Sequence, residues 1–401
     1  MNFKRSIALL CGILSLGMLA GCSPSKGETL STLGTTQASA SVEQQPFTDY
    51  SEKTVYPADV LEQLKIYGRS AVIEKSVTCD WTASGIEFCA DCKGDIYLDM
   101  TTTVETYLTV YLDGTRVDDV NYNYDTNKRE GNTFYLDKGS HRVQIASDLE
   151  PGLHTVRVLR QNRKGNTSVD AIVLSGELRE RPADKELFIE FIGDSTTCGQ
   201  ACLGINKTDD RDNAETTEGT SAYAYMVAQA LGADYSMISI SGIGFFRGSV
   251  DYPMTDVYPY ISYLRDHTQK DFVPTRKPDA VVVNLGENDE TRIKTDQAAF
   301  CDSVRDLISQ IHANYTEETP IVFCYHSTML GKIAPNLIQS VIDEMGGADS
   351  GLYSIVMTTD KSPITPNYHT HNGAPGNHPT VEQHQKQADT LTAFLKEILN
   401  Q

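Results

Sequence analysis

Four short stretches of this chain carry the residue types that acyl transfer needs. Gly193-Asp194-Ser195-Thr196 offers a hydroxyl directly after an apolar run, where a rigid strand would hold it and its own N–H could face a developing oxyanion. Ser241-Gly242-Ile243-Gly244 offers backbone that can approach a ligand closely, because glycine has no Cβ. Gly286-Glu287-Asn288-Asp289 offers a side-chain amide donor. His378-Pro379, just before the last helical run, offers a base that could take the serine proton and return it to a leaving alcohol. Taken singly, each stretch has an ordinary structural use: a capping serine, a tight turn, an Asx turn, a loop histidine. His384 reads as a surface or packing residue of the helix. His369 and His371 with His378 have the spacing of a zinc set, but no Asp or Glu lies between 361 and 381 to complete one. The chemistry calls for no metal and no cofactor.

Hydrophobic periodicity predicts the elements that hold these groups. Continuous apolar strands are expected at 187–192, 235–240, 280–285, 321–325 and 353–357. Helices are expected between them: 221–231 with Ser221 as N-cap, 296–311, 335–345 opened by Pro335, and 379–399. Strands and helices in alternation predict a parallel sheet covered on both faces, with its site at the carboxyl ends of the strands. The serine, glycine and asparagine stretches each follow one of those strands. Residues 55–183 are written differently. Short alternating runs at 94–99, 106–112, 141–146, 154–159 and 171–174, with the turn signal Asp113-Gly114, predict an antiparallel all-β sandwich or jelly roll. The expected division is therefore a β-sandwich over 55–183 and an α/β domain over 184–401.

In the order Gly-Asp-Ser, Gly, Gly-x-Asn-Asp, His-Pro, the four stretches together resemble the SGNH (GDSL) hydrolase superfamily over about 187–401. That resemblance implies a flavodoxin-like three-layer fold. It implies Ser195 as nucleophile, His378 as base, and the Ser195 N–H, Gly242 N–H and Asn288 amide as the oxyanion hole. Gly68-Arg69, Asp80-Trp81-Thr82-Ala83-Ser84-Gly85-Ile86 and Tyr111-Leu112-Asp113-Gly114 are similar to the jelly-roll domain that precedes the catalytic domain in carbohydrate esterase family 2. Such enzymes remove acetyl groups from xylan and glucomannan, with a preference for 6-O-acetyl, so the expected partner is an acetylated polysaccharide or oligosaccharide. The alternatives are an esterase acting on acetylated peptidoglycan or a lipid ester, and a glycan-binding lipoprotein without catalysis. One departure stands out: where the superfamily places an Asp three residues before the histidine, this chain has Pro375. A Ser-His dyad is expected, with the imidazole oriented by a carbonyl or by Asp360. With the only Trp in the β domain, Phe245, Tyr252 and Tyr258 are the expected aromatic platform for sugar.

The start of the chain assigns a compartment. Lys4 and Arg5, an apolar run from Ile7 to Leu19 and Leu19-Ala20-Gly21-Cys22 resemble a bacterial lipoprotein signal. That implies loss of residues 1–21, a lipid on Cys22 that anchors the protein to a membrane at the cell surface, and a polar tether over 22–54. The formal charge of -20, from 34 Lys and Arg against 54 Asp and Glu, repels phosphate backbones and sets nucleic acid aside. Nine cysteines are too few and scattered for a disulfide scaffold, although Cys89/Cys92 and Cys198/Cys202 are spaced closely enough to pair.

Overall fold

The run Phe188–Gly193 is apolar at every position but Glu190, the pattern of a strand buried on both faces, and it is an inner strand of a parallel sheet. In the computed structural model, which describes residues 48–123, 125–126, 128–204, 214–262, 271–359 and 378–401, five strands make this sheet. They are β1 (Phe188–Gly193), β2 (Asp234–Ser239), β3 (Ala280–Asn284), β4 (Ile321–Tyr325) and β5 (Leu352–Val356), in the spatial order β2-β1-β3-β4-β5. Every pairing is parallel. This is the flavodoxin-like order, and its direction reverses between β1 and β3, where ligands bind in such sheets. Gly193 sits in register with Ser239 and Asn284, so the segments after β1, β2 and β3 leave the sheet at one level. Besides the single turn Glu290–Ile293, the α-helices among the described residues are α1 (Tyr223–Ala230), α2 (Gln297–Asn314), α3 (Ile333–Glu344) and α4 (Val381–Ile398). Alternation along the strands supplies two cores: Ile192, Val281 and Val283 pack with α2 and α3 on one face, Ile189, Phe191 and Val282 with α1 and α4 on the other.

Two helix starts differ from the sequence expectation, for the same reason. Ser221 does not cap α1. It ends a 3-10 turn, and α1 begins after Ala222 with no side-chain cap from its own segment. The Tyr223 N–H instead donates to His384 Nδ1, 3.1 Å away on α4. Helix α3 starts two residues before Pro335, because the Glu290 carboxylate accepts from the Ile333 N–H at 3.1 and 3.2 Å and satisfies the first turn from outside. Both caps come from residues distant in sequence.

Ten of the described strands form one antiparallel sheet ahead of the parallel one. The short runs expected at 94–99, 141–146 and 154–159 are parts of two long strands, Gly85–Thr102 and Gly139–Arg160. Register shifts between Gln144 and Gly152 let the second strand bend while staying paired. The described residues from Thr48 onward belong to one compact unit, and the antiparallel sheet contributes to both cores of the parallel domain. Trp81 is fully buried in one core and donates its indole N–H to the Ile261 carbonyl at 2.7 Å. Tyr67, Ala83 and Leu159 enter the other. Charges cross as well: buried Arg69 meets Glu190 at 3.1 Å, and Lys65 meets Asp234 at 2.7 Å. The signal segment, Cys22 and the tether up to residue 47 lie outside the described residues, as do Asp360, His369, His371 and Pro375. Among the described residues no helix is long and apolar enough to cross a membrane.

The close cysteine pairs are not bridged. Cys89 and Cys92 stand three residues apart on one strand, so their side chains point to opposite faces. Cys198 and Cys202 are buried separately, the first against the Ser239 hydroxyl at 3.3 Å and the second against the Glu218 carbonyl at 3.5 Å. Burial pushes the Cys202 thiol up to about 12.

Candidate active site

Strand β1 ends at Gly193, and the chain turns at once. A Cβ on Gly193 would collide with the Thr197 side chain, so only glycine permits so tight a departure. Ser195 stands half-exposed on this turn, which is closed by Cys198 N–H to Asp194 carbonyl and Gln200 N–H to Ser195 carbonyl bonds at 3.0 and 3.1 Å. Among the described residues, the Ser195 N–H and the Gly242 N–H donate to no other group. Gly242 has φ +82, and a Cβ there would press on Ser249 Cβ at 3.1 Å, so glycine is required by conformation and by space.

Asn288 is brought to the same place, but its amide is occupied. Its Nδ2 donates to Asp194 Oδ2 and to the Ile243 carbonyl, each at 3.0 Å, which uses both hydrogens. Asn288 thus ties together the segments after β1, β2 and β3. Burial raises Asp194 to about 7, with Glu287 nearby adding to the effect.

Sequence reasoning missed three residues that shape this end of the sheet. Asp289 is fully buried, and its carboxylate accepts the N–H groups of Phe245, Phe246 and Arg247, each at 2.9 Å. It moulds the loop that carries Gly242 and Gly244. Burial raises its pKa above the usual carboxylate value, although the three N–H groups pull it down. Glu287 lies 2.9 Å from His326 Nε2 and accepts from Lys332 Nζ at 2.7 Å and Thr328 Oγ1 at 2.8 Å. Burial would raise Glu287, but His326 and Lys332 outweigh it and hold it well below the ordinary range. His326 follows β4 as Ser195, Gly242 and Asn288 follow β1 to β3, so its position after the fourth apolar run was a legible signal.

His378 is half-buried and lies two residues before Thr380, whose hydroxyl accepts the Gln383 N–H at 3.2 Å and caps α4. The start of α4 is attached to the turn after Ser195 by a Val381 N–H to Cys202 carbonyl bond of 3.3 Å. His384 is a packing residue: it is fully buried, stacks on Tyr223 at 6.2 Å and is pushed down to about 3, by burial first and then by His326 and His378. Tyr223 in turn meets Thr197 Oγ1 at 2.9 Å. The aromatic platform needs correction. Phe245 and Tyr258 are fully buried, Phe245 between Phe300 and Phe323, Tyr258 donating its hydroxyl to Glu190 at 2.7 Å. Neither ring can meet sugar; Tyr252 and Phe246 are only partly buried.

The antiparallel sheet braces the segment beside the serine turn. Glu218 is fully buried and receives Arg129 Nη1 at 2.6 Å and Arg116 Nη2 at 3.0 Å, while its own N–H donates to the Gly199 carbonyl at 3.2 Å. Burial would raise Glu218, but the two guanidinium groups hold it below its usual value.

Comparison with known proteins bears on the family and the fold. Residues 189–391 match the family described as GDSL-like lipase/acylhydrolase. The chain is 28% identical over 276 residues to the cellulase/esterase CelE of Acetivibrio thermocellus, covering 66% of this chain and 33% of CelE, so it spans about a third of that protein's length. It is 22% identical over 272 residues to the acetylxylan esterase/glucomannan deacetylase of Cellvibrio japonicus, covering 66% of this chain and 73% of that one. Its fold is similar to that of a family two carbohydrate esterase from Clostridium thermocellum in complex with cellohexaose, with TM-score 0.71 at 23% identity over 84% of this chain and 99% of that one.

Proposed function

Because the chain belongs to the GDSL-like lipase/acylhydrolase family, we propose that it is a serine esterase that removes O-acetyl groups from plant polysaccharides or their oligosaccharides, with preference for the 6-O-acetyl position. The observation that carries this reading is Ser195, half-exposed at the switch point of the sheet, with its own N–H and that of Gly242, on the segment after the adjacent β2, donating to no other group among the described residues. The names of the two relatives, an esterase and a xylan and glucomannan deacetylase, support the substrate class.

In this reading His378 takes the Ser195 proton as the hydroxyl oxygen attacks the acetyl carbonyl. The tetrahedral oxyanion rests on the Ser195 and Gly242 N–H groups, and Asn288 joins them when one of its amide hydrogens turns from Ile243 or Asp194 to the new charge. Collapse expels the sugar hydroxyl, which leaves with the proton held by His378. Water, deprotonated by the same imidazole, then attacks the acetyl-enzyme, and acetate departs as the proton returns to Ser195. Position 375 is proline and supplies no carboxylate, so in this reading a backbone carbonyl or Asp360 orients the ring and the pair works as a dyad.

The test is acetate release from acetylated xylan, acetylated glucomannan and O-acetylated peptidoglycan, with Ser195→Ala as control. The expected result is release from the plant glycans, lost by at least a thousandfold in the variant. Retained activity in Ser195→Ala, or preference for butyryl and longer acyl esters, overturns the assignment. We further propose that Cys22 carries a lipid that anchors the enzyme at the bacterial cell surface, since Leu19-Ala20-Gly21-Cys22 ends a short apolar run behind Lys4 and Arg5. Cys22→Ser then moves the protein from the membrane fraction to the medium; unchanged membrane partition argues against the anchor.

A further inference from the structure

His326 directly follows β4, is 2% exposed, and takes no part in the proton transfers proposed above. It belongs to a group of side chains closed around Glu287. Lys332 Nζ donates to Glu287 Oε1 at 2.7 Å, and Thr328 Oγ1 donates to the same oxygen at 2.8 Å. Thr328 has one hydroxyl hydrogen, and the ionised carboxylate can only accept it. The 2.8 Å contact between Thr328 Oγ1 and His326 Nδ1 therefore runs the other way: Nδ1 carries a hydrogen and the hydroxyl oxygen accepts it. Nε2 is left 2.9 Å from Glu287 Oε2, close but not aligned as a hydrogen bond. That approach is attractive only when Nε2 carries a hydrogen too, and with both hydrogens the ring is a cation.

This grip reaches the site along the chain, because Glu287 is the residue before Asn288. On its other side Gly286 has φ +113, and a Cβ there would press on Ala334 Cβ of α3 at 3.2 Å. With Glu290 accepting from the first turn of α3, the segment that carries Asn288 is fastened to the β4–α3 connection. His326 also acts on the serine turn. Asp194 precedes Ser195, is 2% exposed, and accepts the Thr196 N–H and Asn288 Nδ2, each at 3.0 Å and both neutral donors. Of the charges around it, Glu287 and Asp289 strengthen its hold on a proton and His326 weakens it. The Tyr223 hydroxyl and the Cys198 and Cys324 thiols face the same carboxylate, kept neutral by burial. His326 itself is faced by Glu287, by Asp194 and by the neutral His384 of α4, which also feels His378.

We propose that His326 is a positioning residue for the oxyanion hole: through Glu287 it holds the segment that carries Asn288, and as counter-charge to Asp194 it keeps that carboxylate gripping the Asn288 amide. An ionised Asp194 holds Thr196 and Asn288 by charge-assisted hydrogen bonds; a protonated one accepts more weakly and loosens them. The inference rests on the esterase reading and adds to it a residue from the end of β4.

The experiment compares the full chain as wild type, His326→Asn and Glu287→Gln. Infrared difference spectra follow the carbonyl stretch of protonated Asp194, identified by its loss in Asp194→Asn, and rates on 4-nitrophenyl acetate are measured over the same pH range. His326→Asn keeps an amide donor for Thr328 but no charge, so Asp194 should hold its proton to higher pH, by about half a pH unit or more. Glu287→Gln removes a neighbouring negative charge, so Asp194 should release its proton at lower pH. The acid limb of kcat should move with the band, upward in His326→Asn and downward in Glu287→Gln. At the plateau kcat should fall about tenfold or more in both, with KM within about threefold of wild type. Loosened packing alone does not move the limb in opposite directions, and if one variant fails to fold, the sign in the other decides. An unmoved band, shifts of the same sign, or a folded His326→Asn enzyme with wild-type kcat overturns the proposal. So does a limb that moves without the band, since His326 would then act on His378 and not through Asp194. Failure of the esterase reading looks different: the wild type releases no acetate, whatever the band does.

Discussion

Replacing Asp289 by alanine tests whether the loop after β2 is shaped from outside itself. The carboxylate accepts three backbone N–H groups at 2.9 Å, from Phe245, Phe246 and Arg247. A hydrogen bond to a charged acceptor contributes about 1.5–3 kcal/mol net. The Phe245 N–H is buried and would be orphaned outright, while those of Phe246 and Arg247 are partly buried and can turn to water. One full loss and two partial ones give roughly 3–5 kcal/mol in urea denaturation. Asp289→Asn keeps one oxygen for Phe246 and Arg247 but sets an amide N–H against the Phe245 N–H, so it should fall between wild type and alanine. The same loop holds Gly242 through the Ser249 N–H to Gly242 carbonyl bond of 2.6 Å, so losing the mould displaces the N–H proposed above as an oxyanion donor. Displacing one such donor lowers kcat about 10²–10³-fold. Steady-state kinetics on 4-nitrophenyl acetate at a temperature where the variant is folded reads this directly. A folded Asp289→Ala enzyme with wild-type kcat, or a stability loss under about 1 kcal/mol, would refute the reasoning.

Three further perturbations separate other parts of the argument. Asp194 holds its proton up to about pH 7 when folded, against 3.8 for the ordinary group. The folded state therefore binds more protons between these values. That stabilisation is full below about pH 4 and is lost as pH rises towards 7, by at most about 1.4 kcal/mol per pH unit. Wild type should lose stability relative to Asp194→Asn across that window in denaturant titrations; a flat difference counts against it. Arg129→Ala leaves the buried Glu218 with Arg116 alone and should lower stability by about 3–5 kcal/mol, measured by urea denaturation. A loss no larger than that of an exposed pair, under about 1 kcal/mol, would mean that the brace carries little strain. Gly244→Ala drives a methyl into the Asp289 carboxylate and should lower stability by about 1–3 kcal/mol together with kcat; an unchanged melting temperature would show that the loop yields freely.

Much of the working end of this protein was legible in the chain because its groups are local. Ser195, Gly242 and Asn288 each follow a continuous apolar run, and a parallel sheet brings successive carboxyl ends to one level whatever the intervening helices do. The composition of each strand and the stripe of Phe300, Val304, Leu307, Ile308 and Ile311 on α2 likewise report burial residue by residue. Pairing across distance was not legible. Nothing near Ser221 or Pro335 in sequence announces that His384 and Glu290 cap those helices, so the expected starts were shifted. Phe245 and Tyr258 were placed near the site by sequence but are turned into the core, because packing against Phe300, Phe323 and Glu190 decides the direction of a ring. Local periodicity thus determined the elements and the order of the chemical groups. Tertiary structure alone decided which carboxylate moulds the glycine loop, which arginines cross to Glu218, and that Asn288 spans Asp194 and Ile243. Those contacts join segments tens to more than a hundred residues apart, and their energy depends on distance and burial, which no single stretch of sequence encodes.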